Sequence, residues 1–386
     1  MKVLSISTDR KMFEEGSAVL KRNLGYASKS EEFHIVVFTL KKENLLPKKI
    51  NNLYLYPTNS TTEWLYVWDA LRLSKRIIIE NKLLSGSVIS TQDPFQTGFV
   101  GMILSKKFHL PLQIQIHTDF LSSYFFKSFF NKIRVRIASF VIPRADSLRV
   151  VSEVIKQSIN KKYPKLKISI DVLPIFFDIE KISMNNNFST LGVEKLEIFS
   201  RFKFIIFMAS RLTEEKRIDI ALQVFREVAT KFPQVGLVIA GSGPEENKLK
   251  NLTSSLGLAK NVIFVGWQKD LVPFYKVANI FLLTSEFEGH GMTLVEAAMH
   301  GCPIVTTSVG IAKMDLFKNG QNSFVCPVGG TDCLSKAIMD LIEHPGIRQE
   351  FSERMRGSII EIVISKEEYT ARYIGFLENL IKTNTR

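Results

Sequence analysis

Short apolar runs alternate with longer amphipathic stretches along almost the whole chain, the pattern of strand and helix in turn. Residues 2–8 (KVLSIST) read as a first strand, followed by a long loop and a helix in DRKMFEEGSAVLKRNLGYAS. Strands are predicted next at 33–40, 53–57, 87–91 and 112–117, separated by helical stretches such as 64–83. The segment 168–174 (ISIDVLP) closes this first half. Residues 181–202 are polar, rich in Asn and weakly patterned, as an interdomain region would be. A second alternating set follows, with strands at 204–210, 236–240, 262–265 and 280–283 and an amphipathic helix at 218–231. After Val325 the chain turns helical, over 334–343, 347–363 and 366–382. The pattern predicts two doubly wound α/β domains, over 1–178 and 203–365, joined through 179–202.

The bulk properties fit that reading. A chain of 386 residues is long for one core, and 45% hydrophobic content is that of a globular protein. No apolar run reaches membrane-spanning length, and a strand begins within a few residues of the first Met, which argues against a signal peptide. Cys302, Cys326 and Cys333 lack metal-ligand spacing. They read as small core residues in a reducing compartment, so a cytoplasmic location is expected, with peripheral attachment at the inner face of the membrane as its extension. The net charge of +13 calls for anionic partners. Neither zinc-finger spacing, an aromatic RNA-binding strand nor a continuous basic helix is present, so no nucleic-acid partner is expected. An anionic membrane surface is the better candidate. Residues 124–144 (YFFKSFFNKIRVRIASFVIPR) mix phenylalanines with lysines and arginines, as a bilayer-surface helix would. A domain helix with its phenylalanines in the core is the other reading.

The chemistry concentrates in 279–310, NIFLLTSEFEGHGMTLVEAAMHGCPIVTTSVG. A buried strand leads into an acidic, glycine-broken loop, then a helix that Gly301-Cys302-Pro303 stops. The loop glycines permit close backbone approach to a ligand, and the helix start directs unpaired N–H groups and the positive dipole end to the same place. That is the ordinary setting of a phosphate. Glu288 and Glu296 flank it and are suited to the hydroxyls of a sugar nucleotide.

The E-x7-E spacing of Glu288 and Glu296, inside EGHGMTLVEAAMHGCPIV, resembles the signature of the retaining glycosyltransferases of family 4. The GSGP turn in LVIAGSGPEENKLKNL and the segment ASRLTEEKRID are further matches, and QIQIHTD resembles a strand-end His-x-Asp of the same family. The resemblance implies the GT-B fold, two Rossmann-like domains facing across a cleft, with the last helix (366–386) returning to the first. It implies transfer of a hexose from a UDP- or GDP-sugar to a hydroxyl, with retention, in polysaccharide, glycolipid or lipid-linked saccharide assembly. The implied catalytic residues are His117, Glu288, Arg211 and Lys216, the last two clamping the diphosphate. The implied donor contacts are Gly16, Gly241, Gly243, Trp267, His290, Gly291, Met292, Thr293, Leu294 and Glu296, with Glu296 on the ribose. Asp119 would meet the acceptor, a saccharide or lipid-linked molecule. No D-x-D motif is present, so the reading needs no metal and no cofactor. Three departures stand out. Gly16 replaces the family's paired glycines, Arg217 its glycine after the lysine, and His290 its phenylalanine in EGFG. A nucleotide-sugar epimerase and a non-catalytic sugar- or membrane-binding relative are the alternatives, the first disfavoured by the E-x7-E loop and the second by filled clamp positions.

Overall fold

The computed structural model describes residues 1–174, 176, 201–362 and 364–384, so the expected interdomain segment lies almost wholly outside the described residues. The chain divides into two units, Met1–Phe176 with Ile364–Arg386, and Phe177–Val363. Each is a largely parallel sheet with helices on its faces, the α/β layout that the resemblance to GT-B proteins implies.

The first unit contains β1 (Lys2–Ser7), α1 (Ala18–Ser28), β2 (Glu32–Val37), β3 (Lys48–Ile50), β4 (Leu53–Pro57), α2 (Tyr66–Glu80), β5 (Ser87–Thr91), α3 (Gln96–Phe108), β6 (Leu112–Ile116), α4 (Phe129–Val141), β7 (Ser147–Val150), α5 (Glu153–Lys162) and β8 (Ser169–Val172). The strand order is β3-β4-β2-β1-β5-β6-β7-β8, parallel except for the antiparallel β3–β4 pair. The strands are apolar on both sides because helices cover both faces. One face packs Leu4, Ile6, Ile89, Ile114 and Leu148 under α2, α3, α4 and α5. On the other face, Val3, Phe33, Ile35 and Val88 lie with Tyr26 of α1 and with Tyr369, Tyr373 and Leu377 of the last helix. Ser17 starts α1 by accepting a hydrogen bond from the Leu20 N–H at 3.1 Å.

In the second unit come β9 (Phe204–Ala209), α6 (Ile218–Lys231), β10 (Val235–Ala240), α7 (Glu246–Ser255), β11 (Val262–Gly266), α8 (Val272–Val277), β12 (Ile280–Leu283), α9 (Met292–Met299), β13 (Ile304–Thr307), β14 (Phe324–Cys326), α10 (Thr331–Glu343) and α11 (Pro345–Ile362). Its sheet runs β11-β10-β9-β12-β13-β14. The helix α12 (Lys366–Asn384) then joins the first unit.

The structure departs from the periodicity in particular places. Strand β2 stops at Val37 because Leu40 bridges to Ser60 and a 3-10 turn follows. The short edge strands β3 and β14 carry too few residues to show a period. The stretch 124–144 is not one helix. Ser128 is extended (ψ 136°) and separates a 3-10 turn from α4. The cysteine reading also needs correction. Cys326 at the end of β14 and Cys333 in α10 form a disulfide, their Cα atoms 5.8 Å apart. The pairing removes the ground for inferring a reducing compartment. Cys302 is the free one, buried, with its thiol pushed up by that burial. Among the described residues no helix is long and apolar enough to cross a membrane.

Candidate functional site

In the second unit the strand ends bring together two loops that are distant in sequence. The 3-10 turn Glu214–Lys216 is pinned to the loop after β12. The Glu286 N–H donates to Glu215 O at 2.8 Å, and the Thr284 hydroxyl donates to Lys216 O and Arg217 O at 3.1 and 2.9 Å. Arg217, where the resembled family has glycine, takes the left-handed conformation itself (φ 46°). Its guanidinium forks onto both carboxylate oxygens of Asp219 at 3.0 Å. The turn is therefore built without the glycine.

That turn delivers Lys216 to Glu288. The ammonium lies 2.7 Å from Glu288 Oε1, which also accepts the Ser285 hydroxyl at 2.7 Å, and both charged side chains are largely buried. Arg211 does not share this pair. It is exposed (75% of its side chain) and lies 3.1 Å from Glu215 Oε1. Burial pushes the Glu215 carboxyl up, but Thr213, the backbone, Arg211 and Lys216 together hold it below its ordinary value. The structure thus joins Lys216 and Glu288 directly and sets Arg211 one carboxylate away.

Gly291, with φ 93°, turns the chain into α9. The Leu294 N–H is used on Gly291 O at 3.0 Å, which leaves those of Met292 and Thr293 at the helix start. Glu296, one turn on, accepts from the Tyr275 hydroxyl at 2.9 Å. Burial raises the Glu296 carboxyl and Tyr275 partly offsets it. His290 is buried, and burial pushes its ring down to about 4. Its carbonyl accepts the Ile311 N–H at 2.7 Å, and Gly310 (φ 51°) lets the chain pass there. A Cβ at Gly310 would stand 2.5 Å from His290 O and 2.9 Å from Glu288 Cβ.

Gly241 and Gly243 have a packing reason of their own. A Cβ on either would meet the Ser210 or Leu212 carbonyl at 1.8 or 2.3 Å. Trp267 follows β11 and is 70% exposed. The remaining predicted residues belong to the first unit. Gly16 (φ 74°) precedes the cap of α1 and has no atom within 4 Å of a built Cβ. His117 follows β6, and the loss of hydration there, with the charges of Arg149 and Arg22, pushes its ring down to about 3. Asp119 shapes the next turn, Oδ1 accepting the Leu121 N–H at 3.2 Å and Oδ2 the Ser158 hydroxyl at 3.3 Å. Glu215, Ser285, Tyr275 and Gly310 were not singled out from the sequence. Ser285 stands three residues before Glu288 and Glu215 four after Arg211, spacings that could have been noticed. Tyr275, 21 residues from Glu296, carries no local signal.

Comparison with known proteins finds relatives in sequence and in fold. Residues 194–358 match the family model described as Glycosyl transferases group 1. An uncharacterized glycosyltransferase of Methanocaldococcus jannaschii is 26% identical over 353 residues, covering 84% of this chain and 83% of that protein. The N-acetyl-alpha-D-glucosaminyl L-malate synthase of Bacillus anthracis is 26% identical over 213 residues, and the match spans only about half of each chain, 55% in both cases. Among solved structures, Anabaena HepE in complex with UDP superposes with a TM-score of 0.75 at 18% identity, over 98% of this chain and 100% of that one. Over residues 194–358 the chain is similar to the group 1 glycosyltransferases.

Proposed function

We propose that the protein moves a hexose from a nucleoside diphosphate sugar, UDP-linked in the first instance, to a hydroxyl group with retention at the anomeric carbon. The observation that carries this reading is the buried Lys216–Glu288–Ser285 cluster beside the start of α9. The leaving group is a diphosphate, so catalysis consists largely of stabilising the negative charge that develops on it. Lys216 supplies a point charge, and the Met292 and Thr293 N–H groups supply donors. Arg211 reinforces the clamp once a diphosphate competes with Glu215 for it. Tyr275 engages one oxygen of Glu296 and leaves the other for ribose hydroxyls. Glu288 is assigned to the sugar hydroxyls near the anomeric carbon, His117 to the reacting sugar and Asp119 to the acceptor. His117, neutral at physiological pH, acts as a hydrogen-bonding group rather than a charge. UDP in the neighbouring HepE structure supports the choice of base. A thermal-shift series with UDP, GDP and ADP tests it. Near one hundred times its dissociation constant the correct nucleotide stabilises by roughly 2.7 kcal/mol. The shift should vanish in Glu296→Ala and shrink in Lys216→Ala. No response to any nucleotide would sink the reading.

The same proposal extends to the membrane surface. Of the phenylalanines in 124–144, Phe125 packs onto Phe95, whereas Phe129 and Phe130 are 71% and 68% exposed at the start of α4. Lys127, Lys132, Arg134 and Arg136 are exposed around them. Aromatic rings ringed by cations suit an anionic bilayer, which would bring a lipid-linked acceptor to the enzyme. Sedimentation with phosphatidylglycerol vesicles at low salt should be lost in the Phe129→Ser/Phe130→Ser double variant. Equal sedimentation of the two proteins would remove this extension.

A further inference from the structure

The first unit holds a buried cation with no counter-charge among the described residues. Arg149, on β7, is 2% exposed, yet among the described residues no carboxylate pairs with it. Its two terminal nitrogens donate to Gln115 Oε1 (2.7 Å), Leu173 O (3.2 Å) and the Tyr369 hydroxyl (2.5 Å). The Tyr369 and Tyr373 rings each stand 5.7 Å from the guanidinium carbon. The Nε–H, equally buried, has no acceptor among the described residues. Isolating a charge and a donor from water in this way is costly unless something else completes the site.

What remains open beside it is a cavity of ≈ 330 Å³ at the carboxyl ends of β1, β5 and β6, lined by Arg149, Arg22, Gln115, His117, Thr8 and Asp93 among others. Ligands enter open α/β sheets at that end. Gln115 is fixed by donating to Ser90 Oγ and the Tyr373 hydroxyl, both at 3.1 Å, so its carbonyl faces Arg149. Arg22, from α1, adds a second cation without a carboxylate partner among the described residues. The cavity's own carboxyl, Asp93, is turned to the start of α3, where it accepts the Phe95 N–H at 2.8 Å. The cavity therefore presents two guanidinium groups, while its one carboxyl is engaged by backbone. Its volume lies at the lower end of the roughly 300–1,000 Å³ of small-molecule pockets, room for a small molecule or a head group rather than a polymer.

We infer that this cavity receives an anionic group of the acceptor, a carboxylate or phosphate near the hydroxyl to be glycosylated, and that Arg149 and Arg22 bind it. This rests on the glycosyltransferase reading above and narrows its acceptor. Phosphate oxygens and carboxylates both match the guanidinium fork, so a free hydroxy acid, a sugar phosphate and a phospholipid head share the chemistry.

The test uses the full chain and titrates L-malate, sn-glycerol 3-phosphate and inorganic phosphate against neutral glycerol, with UDP run in parallel. At least one anion should bind and glycerol should not. Arg149→Met and Arg22→Gln should each weaken that binding about 10- to 100-fold, while Arg149→Lys retains part of it. Both variants should respond to UDP as the wild type does. If Arg149→Met does not fold, Arg22→Gln on the helix surface decides alone. L-malate or sn-glycerol 3-phosphate, whose hydroxyl can take the sugar as UDP leaves, should also accelerate UDP release from a UDP-sugar, and inorganic phosphate should compete with them. Response to phosphatidylglycerol but not phosphatidylcholine vesicles, with none to the free anions and with the same dependence on Arg149 and Arg22, supports a lipid head as the source. Binding of neither the free anions nor the anionic vesicles, or binding indifferent to both arginines, overturns the inference while UDP still binds. Anion binding without effect on turnover overturns its assignment to the acceptor. Loss of the UDP response alone would overturn the donor reading and leave the anion site standing.

Discussion

His290 shows how one departure from the resembled motif becomes a measurable property. Burial holds its ring near 4, against an ordinary value of 6.5, so it stays neutral in the fold while the unfolded chain takes up a proton. The resulting stability is complete above pH 6.5 and is lost as pH falls from there towards 4, by about 1.4 kcal/mol per pH unit. His290→Phe restores the family's ring without a titrating group. Relative to wild type it should gain about 2 kcal/mol at pH 5 compared with pH 7.5, read from urea midpoints at both values. An identical difference at the two pH values would show that His290 keeps its proton affinity in the fold. The residue scale was partly legible in the chain. Lys216 and Glu288 were picked out by their motifs and do meet. That Arg211 would turn to Glu215 instead depended on which face of the turn was buried.

At the scale of elements, the site is a loop held between two strand ends. Gly310, just beyond β13, closes it by letting the chain pass against His290 and Glu288. Gly310→Ala combines a left-handed backbone with a Cβ 2.5 Å from a carbonyl oxygen, and should cost about 2 kcal/mol or more of stability. Gly320→Ala is the control, since Gly320 shares the backbone conformation (φ 73°) but has no neighbour within 4 Å. It should cost about 1 kcal/mol and leave UDP affinity unchanged, whereas Gly310→Ala should weaken UDP binding too. Equal effects of the two would mean that crowding at the loop contributes nothing. Most strands and long helices were readable because burial on a sheet or helix face imposes a short period on the sequence. The edge strands β3 and β14, and the break at Ser128, were not, since three residues or one extended residue leave no period to detect.

Across the whole molecule, the chain's end completes its beginning. Tyr369, Tyr373, Ile374, Leu377 and Leu380 of α12 are buried with Tyr26, Phe33 and Val88 of the first unit. At about 2 kcal/mol for each buried side chain, the burial amounts to about 10 kcal/mol before the entropy of ordering the helix is set against it. A chain ending at Val363 should therefore lose cooperative unfolding of the first unit, and the most protected amides of β1 and β2 should exchange rapidly. Retained protection in those strands would refute the assignment. The Arg149 cavity would be lost with the same truncation, because Tyr369 and Tyr373 form part of its wall.

The alternation of elements, the division into two halves and the acidic loop with its glycines were all determined by the sequence alone. Each follows from neighbours within a few residues, where steric and burial periodicities act directly. Tertiary structure decided what meets across the chain. Lys216 and Glu288 are 72 residues apart, Arg149 and Tyr369 220 apart, and Cys326 finds Cys333 only once β14 and α10 are placed. Strand order sets such meetings, and in these sheets β1 lies beside β5 and β9 beside β12. Nothing in a local pattern records that order, because it is selected by which packing of the finished elements buries the most apolar surface.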